Sequence, residues 1–170
     1  SVRKVFVYVA GLGLALSSWT LGGVASAEPA EQRDENEIVW VDDDGPLMSE
    51  AIRKARATLD EFLALVRSPS EGMAGFKLKV RLAEGEDVEH FWVTPFRETD
   101  AGFVGTLAND PVILTSFEGG QELVFDRSMI SDWGYELDGK QVGSFTVCAI
   151  FKTIPKDQAD YYRKHHGFEC

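Results

Sequence analysis

The stretch "LMSEAIRKARATLDEFLALV", residues 47–66, decides the fold. Apolar side chains recur in it every three or four residues, a spacing that places them on one face of a helix. These residues are Met48, Ile52, Ala55, Leu59, Phe62, Leu63 and Val66. Charged side chains occupy the opposite face, so the stretch predicts one long amphipathic helix. Its apolar face must be buried against another element of the chain.

A period of two residues replaces the helical period after residue 74. In "GFKLKVRLAEG" (75–85), apolar residues alternate with Lys77, Lys79 and Arg81. Such alternation is typical of a strand with one face in the core and the other in water. Further strands are expected at "IVWV" (38–41), "EHFWVTPF" (89–96), "FVGTLAN" (103–109) and "ELVFD" (122–126), while "PVILTSF" (111–117) suits either a strand or a packed loop.

The C-terminal third is expected to contain a hairpin and a helix. Asp138-Gly139 is a two-residue signal for a tight turn that needs positive φ. The arm after it, "VGSFTVCAIF" (142–151), is the most apolar segment, and we expect a central strand there. "KDQADYYRKHH" (156–166) predicts a short C-terminal helix. The fold class is therefore α+β, with one long amphipathic helix packed on a mostly antiparallel, meander-like sheet.

The N-terminal residues have the pattern of a secretory signal peptide. Two basic residues precede an apolar run, and Ala25-Ser26-Ala27 supplies the small residues that a signal peptidase reads. We expect cleavage after Ala27, a periplasmic or secreted product and no stable membrane insertion afterwards. A retained anchor is the alternative, because the run is just long enough to span a bilayer. Residues 28–37 are polar and predict a flexible linker, and residues 38–170 predict a single domain.

The charge of the chain restricts its partners. There are 28 Asp+Glu against 17 Lys+Arg, a formal net charge of −11. Because the predicted signal segment holds two of the basic residues and no acid, the mature part is more acidic still. Such a chain repels phosphate backbones, so nucleic acid is not an expected partner. A basic protein or a cell-wall amine fits better, although the acidity can also serve only solubility.

The two cysteines, Cys148 and Cys170, predict a disulfide. An even cysteine count in an exported chain favours pairing, and the bridge would close a loop of about 20 residues that contributes roughly 3 kcal/mol. Two unpaired thiols are the alternative, since Cys170 is the last residue.

Glu89, His90 and Asp132 are the candidate catalytic residues. A histidine oriented by a carboxylate can perform acid–base chemistry near neutral pH. Strand alternation, however, directs Glu89 and His90 to opposite faces of the sheet. Asp132 precedes Trp133-Gly134, where an aspartate often accepts hydrogen bonds from local backbone N–H groups. We therefore favour structural or binding roles for the three side chains.

Trp92, Trp133 and Tyr135 are the candidate ligand-binding residues. Tryptophan is rarely buried completely and often lines a groove, so a face carrying these rings and bordered by acids is suited to a peptide, a glycan or a partner loop. Packing in the core is the alternative.

No cofactor or metal is expected. The acids Asp42–Asp44 fit the start of a helix better than a calcium loop. His165 and His166 are adjacent on a predicted helix, which directs them apart, and Cys170 is lost as a ligand if it is oxidised. The glycines do not form a phosphate-binding loop between a strand and a helix.

Several phrases together carry a resemblance. They are "LMSEAIRKARATLDEF", "FKLKVRL", "EHFWV", "FVGTLANDP" and "ISDWGYELDGKQVGSFT". In this order and spacing, over about residues 45–153, the chain resembles the YegJ-like family of bacterial proteins, which carry a domain of unknown function and of which many are exported. The resemblance implies one compact α+β domain and assigns no activity to any residue.

The sequence thus favours a non-enzymatic binding module of the cell envelope that recognises a protein or a wall component. The alternative is a small envelope hydrolase that uses His90 with Asp132 or Glu89. Whether the chain is an enzyme stays open at this point, with the balance against it.

Overall fold

The computed structural model describes residues 4–7, 38–40 and 45–170. The bounds of its elements are β1 (Lys4–Val7), β2 (Ile38–Trp40), α1 (Pro46–Ala57), α2 (Leu59–Arg67), β3 (Met73–Glu84), β4 (Asp87–Thr99), β5 (Gly102–Leu107), β6 (Glu122–Phe125), β7 (Ile130–Leu137), β8 (Lys140–Gly143), α3 (Phe145–Ile150) and α4 (Lys156–His166), with a 3-10 turn at Arg127–Met129. The α+β class is confirmed, as are the C-terminal helix and the short strand at 38–40. The segment 111–117, whose sequence suits either a strand or a packed loop, is a loop.

The strands form one mostly antiparallel sheet in the order β2-β1-β4-β3-β7-β8. The long β4 pairs with β3 along one edge; its other edge pairs with β1 over Val88–His90 and with β5 from Val93 onward. β6 pairs with β5, so β3 to β6 follow the expected meander order. Among the described strands, only the pairing of β1 with β4 is parallel.

The predicted long helix is two shorter helices, α1 and α2. Thr58 separates them with φ −108° and ψ 6°, well away from helical values. Two side chains bond to the helix at this break: Nε1 of Trp133 donates to the carbonyl oxygen of Ala55 at 3.0 Å and to Oγ1 of Thr58 at 3.1 Å, and Oγ1 of Thr58 donates to the carbonyl oxygen of Lys54 at 2.8 Å. A side chain inserted into the hydrogen-bond ladder bends a helix at that point. The apolar face nevertheless continues through Leu59 and Phe62, which are buried.

The main core lies between α2 and one face of the sheet. Leu78, Val80 and Leu82 of β3 face this core together with Phe91 and Val93 of β4. The ring of Phe62 stacks on Trp133 at a centroid distance of 4.9 Å and contacts Phe76, Phe96 and Tyr135. The prediction that the helical apolar face and the sheet bury each other is therefore confirmed for α2.

The opposite face, here called the polar face, was expected to be wet and is largely covered. It carries Lys77, Lys79, Arg81, His90, Trp92 and Asp132, and the helices α3 and α4 pack on it around Trp92. Lys79 and Asp132 are both 0% exposed. Only Arg81 of the three alternating basic residues on β3 is exposed. The expectation was wrong because the apolar residues of α3 and α4 supply a second layer.

The apolar segment 142–151 is not a central strand. β8 ends at Gly143, and the chain turns through Gly143 and Ser144, both with positive φ, into the helix α3. A side chain at Gly143 would lie 2.5 Å from the ring and the carbonyl oxygen of Trp133, so the chain passes too close to Trp133 for any other residue. The segment is apolar because α3 is buried among α1, α4 and the sheet.

The disulfide between Cys148 and Cys170 is confirmed. It joins α3 to the C-terminal residue, with 5.6 Å between the Cα atoms. The tight turn at Asp138-Gly139 is also confirmed, since both residues have positive φ.

Part of the predicted N-terminal organisation lies outside the described residues. The predicted signal peptide, residues 1–27, lies outside them except for β1. The predicted linker, residues 28–37, and the acids Asp42–Asp44 lie outside them completely. None of the described helices is long and apolar enough to cross a bilayer.

Candidate functional site

A cleft of about 390 Å³ opens between α1 and the uncovered end of the polar face. We call it the basic cleft; it is lined by Ser49, Ile52, Arg53 and Arg56 of α1, Arg81 of β3, His90 of β4 and Ser131 of β7. None of these described lining residues is acidic. Three arginines thus lie together at one cleft in a chain with a net formal charge of −11.

Arg56 is held in the cleft wall by neutral acceptors. Its Nε donates to the carbonyl oxygen of Ile130 at 3.0 Å, and its Nη2 donates to that of Ser128 at 3.1 Å. Carbonyl oxygens fix the orientation of the guanidinium without neutralising its charge. A guanidinium has five N–H donors, so these two bonds leave donors for a further acceptor.

Arg53 is held differently, by a carboxylate at the rim of the cleft. Its Nε and Nη2 each donate to an oxygen of Glu50 at 2.8 Å. This hydrogen bonding lowers the pKa of Glu50 below its usual value. Because both side chains are well exposed, the pair contributes little to stability and can be rearranged at small cost.

The floor of the cleft is formed by neighbouring strands. Arg81 and His90 are directly paired across β3 and β4, so their side chains leave the same face side by side. His90 is buried, and its Nδ1 lies 2.9 Å from Oγ of Ser131. Ser131 reaches this position because the register of β3 and β7 shifts between Lys79 and Val80.

A buried polar network lies behind the cleft, under α3. Asp132 accepts hydrogen bonds from the backbone N–H groups of Trp133 at 2.8 Å, Phe145 at 3.1 Å and Thr146 at 2.8 Å. Two of these donors belong to the first turn of α3, so the carboxylate caps that helix from a strand. The Thr146 hydroxyl donates to Asp132 and accepts from Nζ of Lys79 at 2.7 Å.

Burial shifts the protonation equilibria of this network. It lowers the pKa of Lys79 to about 8, against the attraction of Asp132, and it also lowers the pKa of Lys77. Burial raises the pKa of Asp132, opposed by Lys79 and by the hydrogen bonds from Thr146 and Trp133. The ring of Trp92 contacts both ammonium groups, each 4.5 Å from its centroid, and so stabilises their charged forms.

The sequence comparisons cover the part of the chain that contains this cleft. Residues 45–170 match the family described as "uncharacterized protein conserved in bacteria", DUF2314. The chain belongs to the DUF2314 family. The match continues past residue 153, where the resemblance noted in the sequence ends, and includes the disulfide-bonded C-terminus.

Two relatives show how far the similarity of this chain to other proteins extends. Uncharacterized protein YegJ of Escherichia coli (strain K12) is 34% identical over 120 residues, which are 71% of this chain and 77% of YegJ. A putative ankyrin repeat protein of Neisseria meningitidis serogroup B, NMB1133/NMB1171, is 33% identical over 67 residues, 39% of this chain and 26% of that protein. No solved structure gives a significant match.

In this DUF2314 chain, the three candidate catalytic residues do not form one site. The Glu89 carboxylate lies on the core side and accepts the backbone N–H groups of Val112, Ile113 and Leu114 at 2.8–3.2 Å, so it anchors a loop. His90 points to the other face, as strand alternation predicts. The oxygens of Asp132 are bonded by Trp133 and the first turn of α3. Only His90 lines the cleft.

The candidate ligand-binding aromatics lie inside the DUF2314 domain. Trp133 and Tyr135 belong to the main core, and Trp92 packs under α3 and α4. Each is less than 8% exposed, so the three rings do not form an open surface. Their rings stack on other aromatics or contact lysines, which matches the alternative of core packing.

Within the described residues, no group of three or more histidine, cysteine, aspartate or glutamate side chains is arranged to hold a metal ion. His165 and His166 pack on Tyr161 of α4, and Cys170 is oxidised.

Sequence reasoning missed the residues that line the cleft from α1. Ser49, Arg53 and Arg56 follow spacings of four and three residues, which is one helical face. The sequence places Arg53 and Arg56 on the charged face of the helix, and the feature that distinguishes them from ordinary surface charge is the position of Arg81 beside His90. That juxtaposition requires the strand register.

Proposed function

We propose that this chain is a non-enzymatic binding module of the bacterial cell envelope and that the basic cleft is its ligand-binding surface. The observation that carries this proposal is the cleft itself, where three arginines of a strongly acidic chain, Arg53, Arg56 and Arg81, line one concave surface. Charge of one sign gathered in a concave site attracts ligands of the opposite sign. Its size also falls within the range of small-molecule sites, roughly 300–1,000 Å³.

Two features support a place in the envelope. The N-terminal pattern ending in Ala25-Ser26-Ala27 is that of a signal peptide, and the Cys148–Cys170 disulfide suits an oxidising compartment. Cleavage after Ala27 would also remove β1, which pairs with Val88–His90. The N-terminal half of β4 would then have a new open edge beside the cleft.

A cell-fractionation and retention experiment tests the proposal. Bacteria expressing the full chain should yield a mature protein that begins at Glu28 in the envelope fraction. The purified protein should be retained on isolated envelope material, and Arg81→Glu should abolish retention. Arg97→Glu is the matched control, because Arg97 is an exposed strand arginine outside the cleft. A cytosolic product with residues 1–27 intact, or equal retention of both variants, would refute the proposal.

A small envelope hydrolase is the second candidate. One contact favours it, the 2.9 Å approach of His90 Nδ1 to Ser131 Oγ at the cleft floor. The carboxylates named for it, Glu89 and Asp132, are engaged elsewhere. Turnover of ester or amide substrates that is lost in His90→Gln and in Ser131→Ala, with both melting temperatures unchanged, would establish the hydrolase and displace the binding module.

A further inference from the structure

We propose that in the mature chain β2 occupies the place of β1 and pairs directly with β4. β1 leaves the molecule only when the chain is cleaved after Ala27, so this inference rests on the proposed function. β1 (Lys4–Val7) precedes the cleavage point, whereas β2 (Ile38–Trp40) follows it and stays with the mature chain. The strand that covers the vacated edge of β4 is thus a segment of the same protein.

Cleavage removes the strand that separates β2 from β4. β1 pairs with β2 on one side and with Val88–His90 of β4 on the other. β3 pairs with the opposite edge of this stretch, and the pairing of β5 with β4 begins only at Val93. Loss of β1 therefore takes away the neighbouring strand of Val88–His90. A sheet edge that loses its neighbour becomes a template for pairing with another strand.

The direction of β2 suits this edge. β1 is parallel to β4 and antiparallel to β2, so β2 already runs antiparallel to β4 and needs no reversal to pair with it. The exchange replaces the only parallel pairing among the described strands with an antiparallel one. Antiparallel pairs are slightly more stable per residue than parallel pairs, so the exchanged sheet loses nothing by this change of direction.

The register of β2 also suits the edge. Trp40 of β2 and Glu89 of β4 lie opposite the same residue of β1, which is Val5. Val39 and His90 in the same way share the next residue of β1. A lateral shift of β2 by one strand spacing, about 4.8 Å, therefore places the two residues of each pair opposite each other without any sliding along the sheet.

The hydrogen-bonding groups of the two strands then face each other. A two-residue turn at Gly85–Glu86 joins β3 to β4, and the pairing in such a hairpin alternates along the strands. This alternation directs the backbone N–H and C=O groups of His90 away from β3. Carried across β1, the same alternation directs the backbone groups of Val39 toward β4. The shift therefore makes Val39 and His90 a hydrogen-bonded pair.

The short connection to α1 favours β2 over any external strand. Residues 41–44 separate β2 from Gly45, which directly precedes α1. A segment tethered this closely has a high effective concentration at the edge, in the millimolar range for short linkers. The shift also moves β2 toward β3 and β7, and α1 is held against β7 by the hydrogen bond from Arg56 to Ile130. β2 thus moves toward the element to which it is tethered.

NMR spectroscopy of the processed protein tests the exchange. Isotope-labelled protein is purified from the envelope fraction, and its N-terminus is sequenced. We expect slow exchange with solvent at the amides of Val39 and His90. We also expect a cross-peak between the Hα protons of Trp40 and Glu89, whose Cα atoms would lie roughly 4.5 Å apart. The uncleaved chain, obtained with Ala27→Phe because signal peptidase requires a small residue there, should lack this cross-peak.

A proline substitution tests which strand protects β4. Val39→Pro removes the N–H group that the exchanged strand directs toward β4. The amide of His90 should then exchange about tenfold faster or more, because the edge opens locally. Gln32→Pro, in the predicted linker, is the matched control and should leave the rate unchanged. Slow exchange at Val80, in the core of β3, shows that either variant is folded.

The outcomes separate the two proposals. In a protein that begins at Glu28, fast exchange at His90 or absence of the cross-peak would overturn the exchange, while Arg81-dependent retention on envelope material would keep the proposed function. Protection that survives Val39→Pro would mean that another strand covers the edge, a second copy if the protein sediments as a dimer, and would also overturn the exchange. Retention of residues 1–27 would overturn both proposals, because β1 then stays in the sheet.

Discussion

The indole Nε1 of Trp133 donates a hydrogen bond to the carbonyl oxygen of Ala55 at 3.0 Å, linking β7 to the end of α1 across 78 residues. In a continuous helix this carbonyl would accept from the N–H four residues later. The contact fixes where α1 ends. It therefore also fixes the direction in which α1 presents Arg53 and Arg56 to the cleft.

Trp133→Phe should lower the free energy of unfolding by roughly 1–3 kcal/mol, because it removes a buried donor from the oxygens of Ala55 and Thr58. Urea denaturation measures this loss. Trp92→Phe is the comparison, since Nε1 of Trp92 is buried without a hydrogen-bond partner among the described residues and its ring instead contacts Lys77 and Lys79. A loss in Trp133→Phe below about 0.5 kcal/mol would show that the hydrogen bond of Trp133 contributes little to stability.

Asp132→Asn should destabilise the protein by roughly 3 kcal/mol or more, because it removes the charge that faces buried Lys79 and weakens the cap of α3. Asp126→Asn provides the comparison. Asp126 also accepts a backbone N–H at a helical turn, from Ser128 at 2.8 Å, but it is exposed. Its replacement should lower the free energy of unfolding by only about 1 kcal/mol. Comparable losses in thermal or urea unfolding would contradict a special role for the buried network.

Lys79 should make stability rise with pH above neutrality. Its pKa is about 8 in the folded protein and near 10.5 when unfolded, so between these values the unfolded chain binds more protons. Below pH 8 the free-energy cost of burying the charged ammonium is present in full. This cost falls as the pH rises, so the free energy of unfolding increases by up to roughly 3 kcal/mol.

Two measurements check this prediction. The Cε chemical shift of Lys79 should titrate with a midpoint near 8. The free energy of unfolding should increase from pH 7 to pH 10 relative to Lys79→Met, which has no charge to lose. Lys77 and Asp132 face the same network and are retained in both proteins. Parallel stability profiles, or a midpoint near 10.5, would show that Lys79 is not desolvated as described.

Reduction of the Cys148–Cys170 disulfide should lower the free energy of unfolding by about 3 kcal/mol, the value expected for a closed loop of this length. The loss should release the C-terminus from α3. Urea unfolding with and without dithiothreitol gives the difference, and the double variant Cys148→Ser/Cys170→Ser should no longer respond to the reductant. Unchanged stability after complete reduction would mean that the bridge is dispensable.

Local patterns in the sequence predicted much of the fold. Alternation located β3, β4 and β5, Asp138-Gly139 located the hairpin turn, and two cysteines predicted their pairing. Each of these signals depends on neighbouring residues or on simple counting. The break at Thr58 was not predictable in this way, because it involves a hydrogen bond from Trp133, which lies far away in sequence.

The polar face shows a second limit of prediction from the sequence. Lys77, Lys79 and Arg81 have the same alternation, yet α3 covers the first two and leaves Arg81 at the cleft. The apolar segment 142–151 suited a strand as well as a buried helix, since both lack an amphipathic period. If segment 142–151 is taken as a strand, no helix covers Lys77 and Lys79, and both side chains are then expected to face water. The basic cleft could therefore not be recognised before α3 was known to be a helix.

The most direct test of the basic cleft as a binding surface is a ¹H–¹⁵N NMR titration of the chain with phenyl phosphate, which serves as a small anionic probe. We expect the amide shifts to change in a saturable manner at Ser49, Ile52, Arg53 and Arg56, at Arg81 and His90, and at Ser131, while Arg97 and its neighbours stay unchanged. Shifts that concentrate elsewhere on the described surface, or that grow linearly without saturation, would contradict the cleft as the site of binding.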